Sequence, residues 1–397
     1  MTPLLVSSFT LSTSLGNGLA PTLAGLRAGD SGLRRCAFES VAIDTWAGEV
    51  AGVDRQTMPD GLAQYDCRNN RLALLALETD DFADRVRAAS ERYGARRVGV
   101  FLGTSTSGIL QTELAYRRRD PQTGALPDDF NYRTTHNGFS LGEFVRRRCA
   151  LEGPAMVVST ACSSAAKTFA AAARLIACDI IDAALVGGVD SLCLTTLYGF
   201  ASLELTSRDP CRPYDAARNG LSVAEGAAFA LLERLPATLP AGSPLLLGYG
   251  ESSDAHHMSS PHPEGLGAQL AMAAALRSAG VSATEIDYIN LHGTATPAND
   301  ATEGRAVAAL FGDRVPCSST KGATGHTLGA AGGVEALICL LALADGLIPG
   351  SPHTGARDPT IPVDYQLTSR PAALRRVLSN SFGFGGSNCS LVFGVAP

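Results

Sequence analysis

One cysteine, two histidines and a lysine stand in short segments of this chain that could bring them to a common site. The first segment, Val157-Val158-Ser159-Thr160-Ala161-Cys162-Ser163-Ser164-Ala165-Ala166-Lys167, passes from an apolar strand into an alanine-rich helix. Cys162 falls at the turn between them. Unpaired backbone N–H groups and the helix dipole favour negative charge there, so the thiol is expected to ionise more easily. A thiolate is the nucleophile that thioester exchange requires. The segment alone reads equally well as a small buried cysteine closing a strand end.

The histidines are His292, in Tyr288-Ile289-Asn290-Leu291-His292-Gly293-Thr294-Ala295-Thr296-Pro297, and His326, in Ser318-Ser319-Thr320-Lys321-Gly322-Ala323-Thr324-Gly325-His326. Each follows an apolar or small-residue run and enters a loop. Taken singly, either reads as a satisfied polar residue beside a core. Zinc is the sharper rival, but no HExxH occurs, and His256-His257 lack cysteines or carboxylates at ligand spacing. No metal is expected. Near the C-terminal end, Ser379-Asn380-Ser381-Phe382-Gly383-Phe384-Gly385-Gly386-Ser387-Asn388 interrupts an apolar stretch with glycines. Such a turn can point backbone N–H groups into a cavity, as an oxyanion hole needs, although a plain hairpin turn fits too. It is not a dinucleotide fingerprint, because the residues from Cys389 to Phe393 suit a strand rather than a helix.

The elements that must position these groups alternate. Val98 to Leu102, Ala155 to Val158, Ala183 to Val186, Ala227 to Leu232 and Leu245 to Leu247 read as buried strands. Ser164 to Ala177 and Leu270 to Ala279 have helical composition, the latter with Gly280 as a C-cap. The alternation predicts an α/β protein with helix-covered sheets. A proline-bearing stretch, Leu235 to Pro244, is the one seam, dividing residues 1–240 from 241–397, and no repeat is visible along the chain. At 397 residues, 45% hydrophobic and 18% charged, the chain suits two packed half-domains and excludes disorder. A formal charge of −6 gives no sign of a nucleic-acid partner. The ten cysteines form no CxxC pair, which points to reduced thiols in the cytosol. The N-terminus lacks the basic region of a secretory signal, and apolar runs such as Ala336 to Ala344 are too short to span a bilayer.

These segments, with Arg212-Pro213-Tyr214-Asp215 and Gly248-Tyr249-Gly250-Glu251-Ser252-Ser253-Asp254 between them, resemble the β-ketoacyl-acyl-carrier-protein synthase family. The likeness is to its elongating type, synthases I and II, and to the related type II polyketide ketosynthases, and it covers nearly the whole chain. It implies a thiolase-like fold of two similar halves in αβαβα layers, and a homodimer or a heterodimer with a related subunit. It also implies an acyltransferase that condenses acyl and malonyl units carried by an acyl carrier protein, in fatty-acid or polyketide synthesis, without redox cofactor, ATP or metal. By this resemblance Cys162 is the acyl-accepting nucleophile, and His292 and His326 bind the donor carbonyl and assist decarboxylation. Lys321 and Glu303 form a supporting polar pair, and Thr294 and Thr296 contact the phosphopantetheine arm. Phe384 is a gate whose backbone N–H, with that of Cys162, forms the oxyanion hole.

Some segments depart from the family pattern. Gly103-Thr104-Ser105-Thr106-Ser107-Gly108-Ile109, Thr134 to Gly142, Asn219-Gly220 and Val223-Ala224-Glu225-Gly226 look more like ketosynthases of specialised pathways, including aryl-polyene clusters, than like housekeeping synthases. Acyl carrier proteins are acidic, so basic groups are expected to contact them. Arg208 matches a family contact position, with Arg68, Arg71 and Arg117-Arg118-Arg119 as further candidates, while Arg146-Arg147-Arg148 reads as structural. The rival is a non-condensing chain-length-factor-like partner subunit, which usually lacks the cysteine. A degradative thiolase would need a second reactive cysteine, for which Cys389 is a poor fit.

Overall fold

The computed structural model describes residues 1–397. Its main sheet has twelve strands, ten of which form two five-stranded sets. The first set comprises β1 (Leu4–Thr13), β2 (Val98–Gly103), β3 (Ala155–Val158), β4 (Ala183–Asp190) and β5 (Gly226–Glu233). The second comprises β6 (Pro244–Ser253), β7 (Tyr288–Asn290), β8 (Pro316–Ser318), β9 (Arg376–Gly383) and β10 (Ser387–Val395). Across the sheet the first set runs β3-β2-β4-β5-β1 and the second β8-β7-β9-β10-β6. Numbered within its own set, each has the order 3-2-4-5-1, so the halves share one topology that no sequence repeat betrays. They join where β1 pairs antiparallel with β6, Leu4 opposite Leu246 and Leu5 opposite Leu245.

Helices make the other three layers. The outer face of the first set carries α1 (Arg68–Leu77), α2 (Phe82–Tyr93) and α3 (Phe139–Arg148). A separate helix, α5 (Leu194–Ser202), lies beyond β4. The outer face of the second set carries α6 (Leu266–Ala279), which packs on β6 and β10, and α7 (Pro297–Phe311) lies against α6. Between the sets lie α4 (Ser164–Ala177) and α8 (Ala331–Asp345), each touching strands of both. The arrangement is the thiolase-like αβαβα sandwich.

The central pair explains its own composition. A helix with a sheet on either side has no polar face, and α8 is apolar apart from Glu335, with every residue from Ala331 to Leu343 buried. Leu328–Asp345 is apolar and long enough to cross a membrane, but 89% of it is buried inside the fold, where it is the core. The helices cross closely because small residues meet. A Cβ on Gly332 would lie 2.8 Å from the Ala166 Cβ and 2.9 Å from the Ala166 backbone nitrogen. Each full Leu or Ile burial in this layer contributes about 1.5–3 kcal/mol.

The two inner helices also share a role in the chain path. In each set the third strand leads into the central helix, β3 into α4 and β8 through a loop into α8. Cys162 occupies the first connection, and Lys321 and His326 the second. The common topology thereby faces them across the middle of the molecule.

Candidate active site

Cys162 sits two residues before α4, and the turn that carries it is strained. Ala161 holds φ +52°, a left-handed conformation a non-glycine residue rarely adopts. The same device recurs in the other site loops, at Ala295 (φ +67°) between Thr294 and Thr296 and at Leu328 (φ +53°) just after His326. Cys162 is 6% exposed, and its Sγ and the ring nitrogens of His292 and His326 lie within 4.8 Å of one another. Such a donor set could hold a soft divalent ion by type, but the Lys321 ammonium beside His292 opposes a second cation there.

The thiol does not ionise as the helix dipole suggested. Burial pushes its pKa up to about 11, overriding Lys321 and the Phe384 backbone N–H, both of which act downwards. The reason is physical: a sulfur taken out of water favours its neutral form, and here that outweighs the nearby charge and hydrogen bond that favour the thiolate. The resting group is a neutral thiol.

Both imidazoles are neutral as well. Burial lowers the pKa of each far below the usual histidine value, and the Lys321 charge adds to it. The rings stand edge to face, centroids 5.4 Å apart. Their tautomers follow from the partners of Nδ1. The Leu328 backbone N–H donates to His326 Nδ1 at 3.1 Å, and Lys321 Nζ faces His292 Nδ1 at 3.3 Å. With both Nδ1 atoms accepting, both protons reside on Nε2, so each ring offers an N–H donor on its other side.

Lys321 is held differently from the expected pairing. Its ammonium bonds Glu335, on α8, and the His292 carbonyl oxygen, and does not bond Glu303. Lys321 and Glu335 are 1% and 2% exposed, a buried ion pair in which burial nonetheless raises the Glu335 carboxyl to about 7. Glu303 supports the loop instead: its oxygens take the backbone N–H groups of His292 and Gly293, each at 2.8 Å, and Asn380 Nδ2 at 3.2 Å. Burial raises its carboxyl to about 7 against those bonds. Asp300, one turn earlier on α7, likewise takes the N–H groups of Thr294 and Ala295 at 3.0 and 3.2 Å. Two carboxylates on one helix thus fix the whole His292–Thr296 loop. Sequence reasoning missed Glu335, although its signal was present: a lone carboxylate in the apolar run of α8 needs a buried partner.

A cavity of about 250 Å³ opens above these groups, lined by Cys162, His292, His326, Thr294, Thr296 and Phe384 among others. The threonine hydroxyls bond one another at 2.8 Å. Phe384 is 37% exposed and leans on Phe200 of α5, ring centroids 5.8 Å apart. The glycine turn closes over the cysteine, for a Cβ on Gly383 would lie 3.3 Å from the Cys162 backbone nitrogen. That proximity sets the Cys162 backbone nitrogen against the glycine turn, whose Phe384 backbone N–H bonds the sulfur.

The basic residues divide. Arg208 is exposed and makes none of the chain's ion pairs. Arg71 is bound by Asp66, donating from Nε to Oδ1 at 2.5 Å and from Nη2 to Oδ2 at 2.7 Å. Arg68 is no surface contact: it is 7% exposed, donates to both oxygens of the fully buried Glu225 at 2.7 and 2.8 Å, and reaches Asp54. A buried Glu225 demands a cation, and Arg68 on the inner face of α1 supplies it.

Comparison with known proteins agrees with this architecture. Residues 68–237 match the β-ketoacyl synthase N-terminal domain and residues 245–355 its C-terminal domain. The chain is 31% identical to 3-oxoacyl-[acyl-carrier-protein] synthase 2 of Vibrio cholerae over 98% of both chains. It is 42% identical to the Rhizobium meliloti protein of the same name, over 74% of this chain and 73% of that one. Among solved structures it superposes on a chain from the complex of the ketosynthase ApeO with its chain length factor ApeC from Xenorhabdus doucetiae. There the TM-score is 0.89 and the identity 38%, over 100% of this chain and 98% of that one. A β-ketoacyl synthase from Burkholderia phymatum superposes with TM-score 0.87 at 30% identity, covering both chains fully. Two domain matches across a duplicated αβαβα sandwich, with near-full-length relatives, make this chain a member of the β-ketoacyl synthase family.

Proposed function

We propose that this chain is a decarboxylative condensing enzyme that joins an acyl unit held on Cys162 to a malonyl unit delivered by an acyl carrier protein. The observation that carries the reading is the convergence of one thiol and one ring nitrogen of each histidine within 4.8 Å at the foot of a cavity. In the first half-reaction the Cys162 sulfur adds to the acyl thioester carbonyl. The N–H groups of Cys162 and Phe384 receive the developing oxyanion. The carrier C–S bond breaks, and the thiol proton, lost from Cys162 as its sulfur attacks, ends on the carrier sulfur, so no proton is gained or lost overall.

In the second half-reaction the malonyl thioester carbonyl accepts from the Nε2–H groups of His292 and His326. The bond to the carboxylate breaks, carbon dioxide departs, and its electron pair forms an enolate whose oxygen the two donors hold. The enolate carbon attacks the acyl-Cys162 carbonyl, the C–S bond breaks, and a 3-oxoacyl thioester leaves with the sulfur free to take up a proton. Lys321, paired to Glu335, keeps the His292 proton on Nε2. Glu303 holds the backbone of the loop, and Thr294 and Thr296 line the passage for the pantetheine arm.

Arg208 is the carrier contact this reading retains. The halves meet at residues 240 and 241, in the stretch between β5 and β6. The chain works as a dimer with itself or with a ketosynthase-like subunit, and the unpaired edge of β3, where Met156 is 45% exposed, supports such an interface. Ten unpaired cysteines agree with a reducing, cytoplasmic setting. The likeness to the aryl-polyene-type sequence pattern supports a specialised substrate, and polyenoyl or aryl carriers are expected to outcompete short saturated ones.

Single-turnover acylation read by intact mass tests the assignment. An adduct on Cys162, followed by a 3-oxoacyl product on adding malonyl-acyl-carrier-protein, is expected. No adduct with any acyl carrier would refute it in favour of a non-condensing partner subunit.

A further inference from the structure

Among the buried carboxylates that the catalytic roles above leave unused, one reaches a loop of the site. Asp190 ends β4, is 0% exposed and belongs to none of the chain's ion pairs. Its neighbours are all hydrogen-bond donors. Thr104 Oγ1 donates at 2.6 Å, and the Ser105 and Thr106 backbone N–H groups both donate at 2.8 Å. The Ser105 and Thr106 hydroxyls follow at 2.5 and 2.8 Å. These residues form the segment after β2 that departs from the family pattern, and they wrap the carboxylate completely.

The remaining donor comes from the other half of the molecule. Gly329 N–H reaches Asp190 Oδ2 at 2.5 Å and Ser105 Oγ at 3.1 Å. The fit excludes any side chain there, because a Cβ on Gly329 would lie 2.7 Å from that carboxylate oxygen and 2.9 Å from the Ser105 nitrogen. Gly329 adjoins Leu328, which holds φ +53° and donates its own N–H to His326 Nδ1 at 3.1 Å. A leucine does not hold the left-handed conformation unaided. The carboxylate grips the amide next to the strained residue, and the strained residue aims the amide that fixes the ring.

We infer that Asp190, with Ser105, is a positioning residue that locks His326 as its Nε2–H tautomer by anchoring the Leu328-Gly329 turn. The inference rests on the decarboxylation role given to His326. Losing the anchor lets the turn relax, frees Nδ1 to carry the proton, and withdraws one of the two donors from the enolate oxygen. The acyl-transfer half-reaction does not use that donor. The Asp190 charge in fact pushes the Cys162 thiol upwards, so its removal does not hinder the sulfur.

The test is Asp190→Asn, which keeps the shape but sets an amide NH₂ among donors, alongside Ser105→Ala. Decarboxylation of malonyl-acyl-carrier-protein is expected to fall about 100-fold in Asp190→Asn, the loss of one oxyanion donor. Acylation of Cys162 is expected to stay within about twofold, since its own oxyanion donors are untouched. Ring ¹⁵N spectra of histidine-labelled protein should show His326 moving from one tautomer to a mixture. Ser105→Ala, a milder change that still loses an anchor of Gly329, should show the same split at about three- to tenfold, and serves if Asp190→Asn does not fold. Equal loss of both half-reactions, tracking the melting temperature, would reduce Asp190 to a structural role. Unchanged decarboxylation, or a His326 tautomer unmoved in both variants, would overturn the inference outright. A wild-type protein that decarboxylates nothing would instead defeat the condensing reading itself.

Discussion

Replacing Lys321 by methionine leaves the Glu335 carboxylate in the core without its cation, and Glu335→Gln leaves the ammonium without its anion. Both members are at most 2% exposed, so breaking the pair from either side should cost about 3–5 kcal/mol. Lys321→Met should be the milder, because burial already raises Glu335 to about 7 and the carboxyl can protonate once Lys321 is gone. The double variant Lys321→Met/Glu335→Leu fills the same space with apolar atoms and should recover stability to within about 2 kcal/mol of the parent, since a hydrophobic replacement of a buried pair is often neutral. Urea unfolding reads this as midpoints displaced by roughly 1 M in the single variants and restored in the double. Activity should not follow. Lys321 is what His292 Nδ1 faces at 3.3 Å, and methionine offers no N–H in its place. The Nε2–H donor is then no longer enforced, and malonyl decarboxylation should remain about 10²–10³-fold low in the refolded double variant. A double variant that regained decarboxylation together with stability would refute the reasoning, because Lys321 would then serve only the fold.

Four further outcomes follow from the same geometry. With the Cys162 thiol raised to about 11, its iodoacetamide alkylation rate should climb about tenfold per pH unit from pH 6 to 9; a plateau in that window would mean a thiolate at rest. The imidazoles, by contrast, should not titrate over pH 6 to 8. Burial depresses both well below 6.5, so neither gains a proton until the pH falls much lower, and ring ¹⁵N shifts of His292 or His326 that move on approaching pH 6 would contradict this. Arg208→Ala should raise KM for the carrier substrate about two- to fivefold at low salt, an effect that fades as salt rises, whereas Arg68→Ala should lower the melting temperature by stranding Glu225. An Arg208→Ala enzyme with unchanged KM at low salt would remove that contact.

The sequence was most informative where local pattern and chemistry coincide. An apolar strand running into an alanine-rich helix predicts Ser164–Ala177 and puts Cys162 at its start, and the helix has those bounds. Gly280 caps α6 in the left-handed conformation, as its position after an alanine-rich run implies. What local pattern does not carry is any relation between distant segments, which entered only through the family resemblance. The shared 3-2-4-5-1 order is a property of strand neighbours, and hydrophobic patterning carries no record of which strand lies next to which.

The ion pairs escaped for a related reason, and they show how such a chain can be read better. Arg68 reads from its sequence as a surface contact and Glu335 passes unremarked in its apolar run, yet Arg68, Glu225 and Glu335 all lie inside. Two of the three were flagged by their context: Glu225 interrupts an apolar run that becomes β5, and Glu335 interrupts α8. A buried carboxylate costs several kcal/mol unless a cation and further donors meet it, so each such interruption obliges the fold to bring a partner from elsewhere. Asp190 extends the rule to a case with no cation, where a run of hydroxyl and amide donors, Thr104-Ser105-Thr106, does the compensating. That run and the buried acid are one feature: the polar segment satisfies the carboxylate behind it, and the carboxylate in turn holds the turn that carries His326.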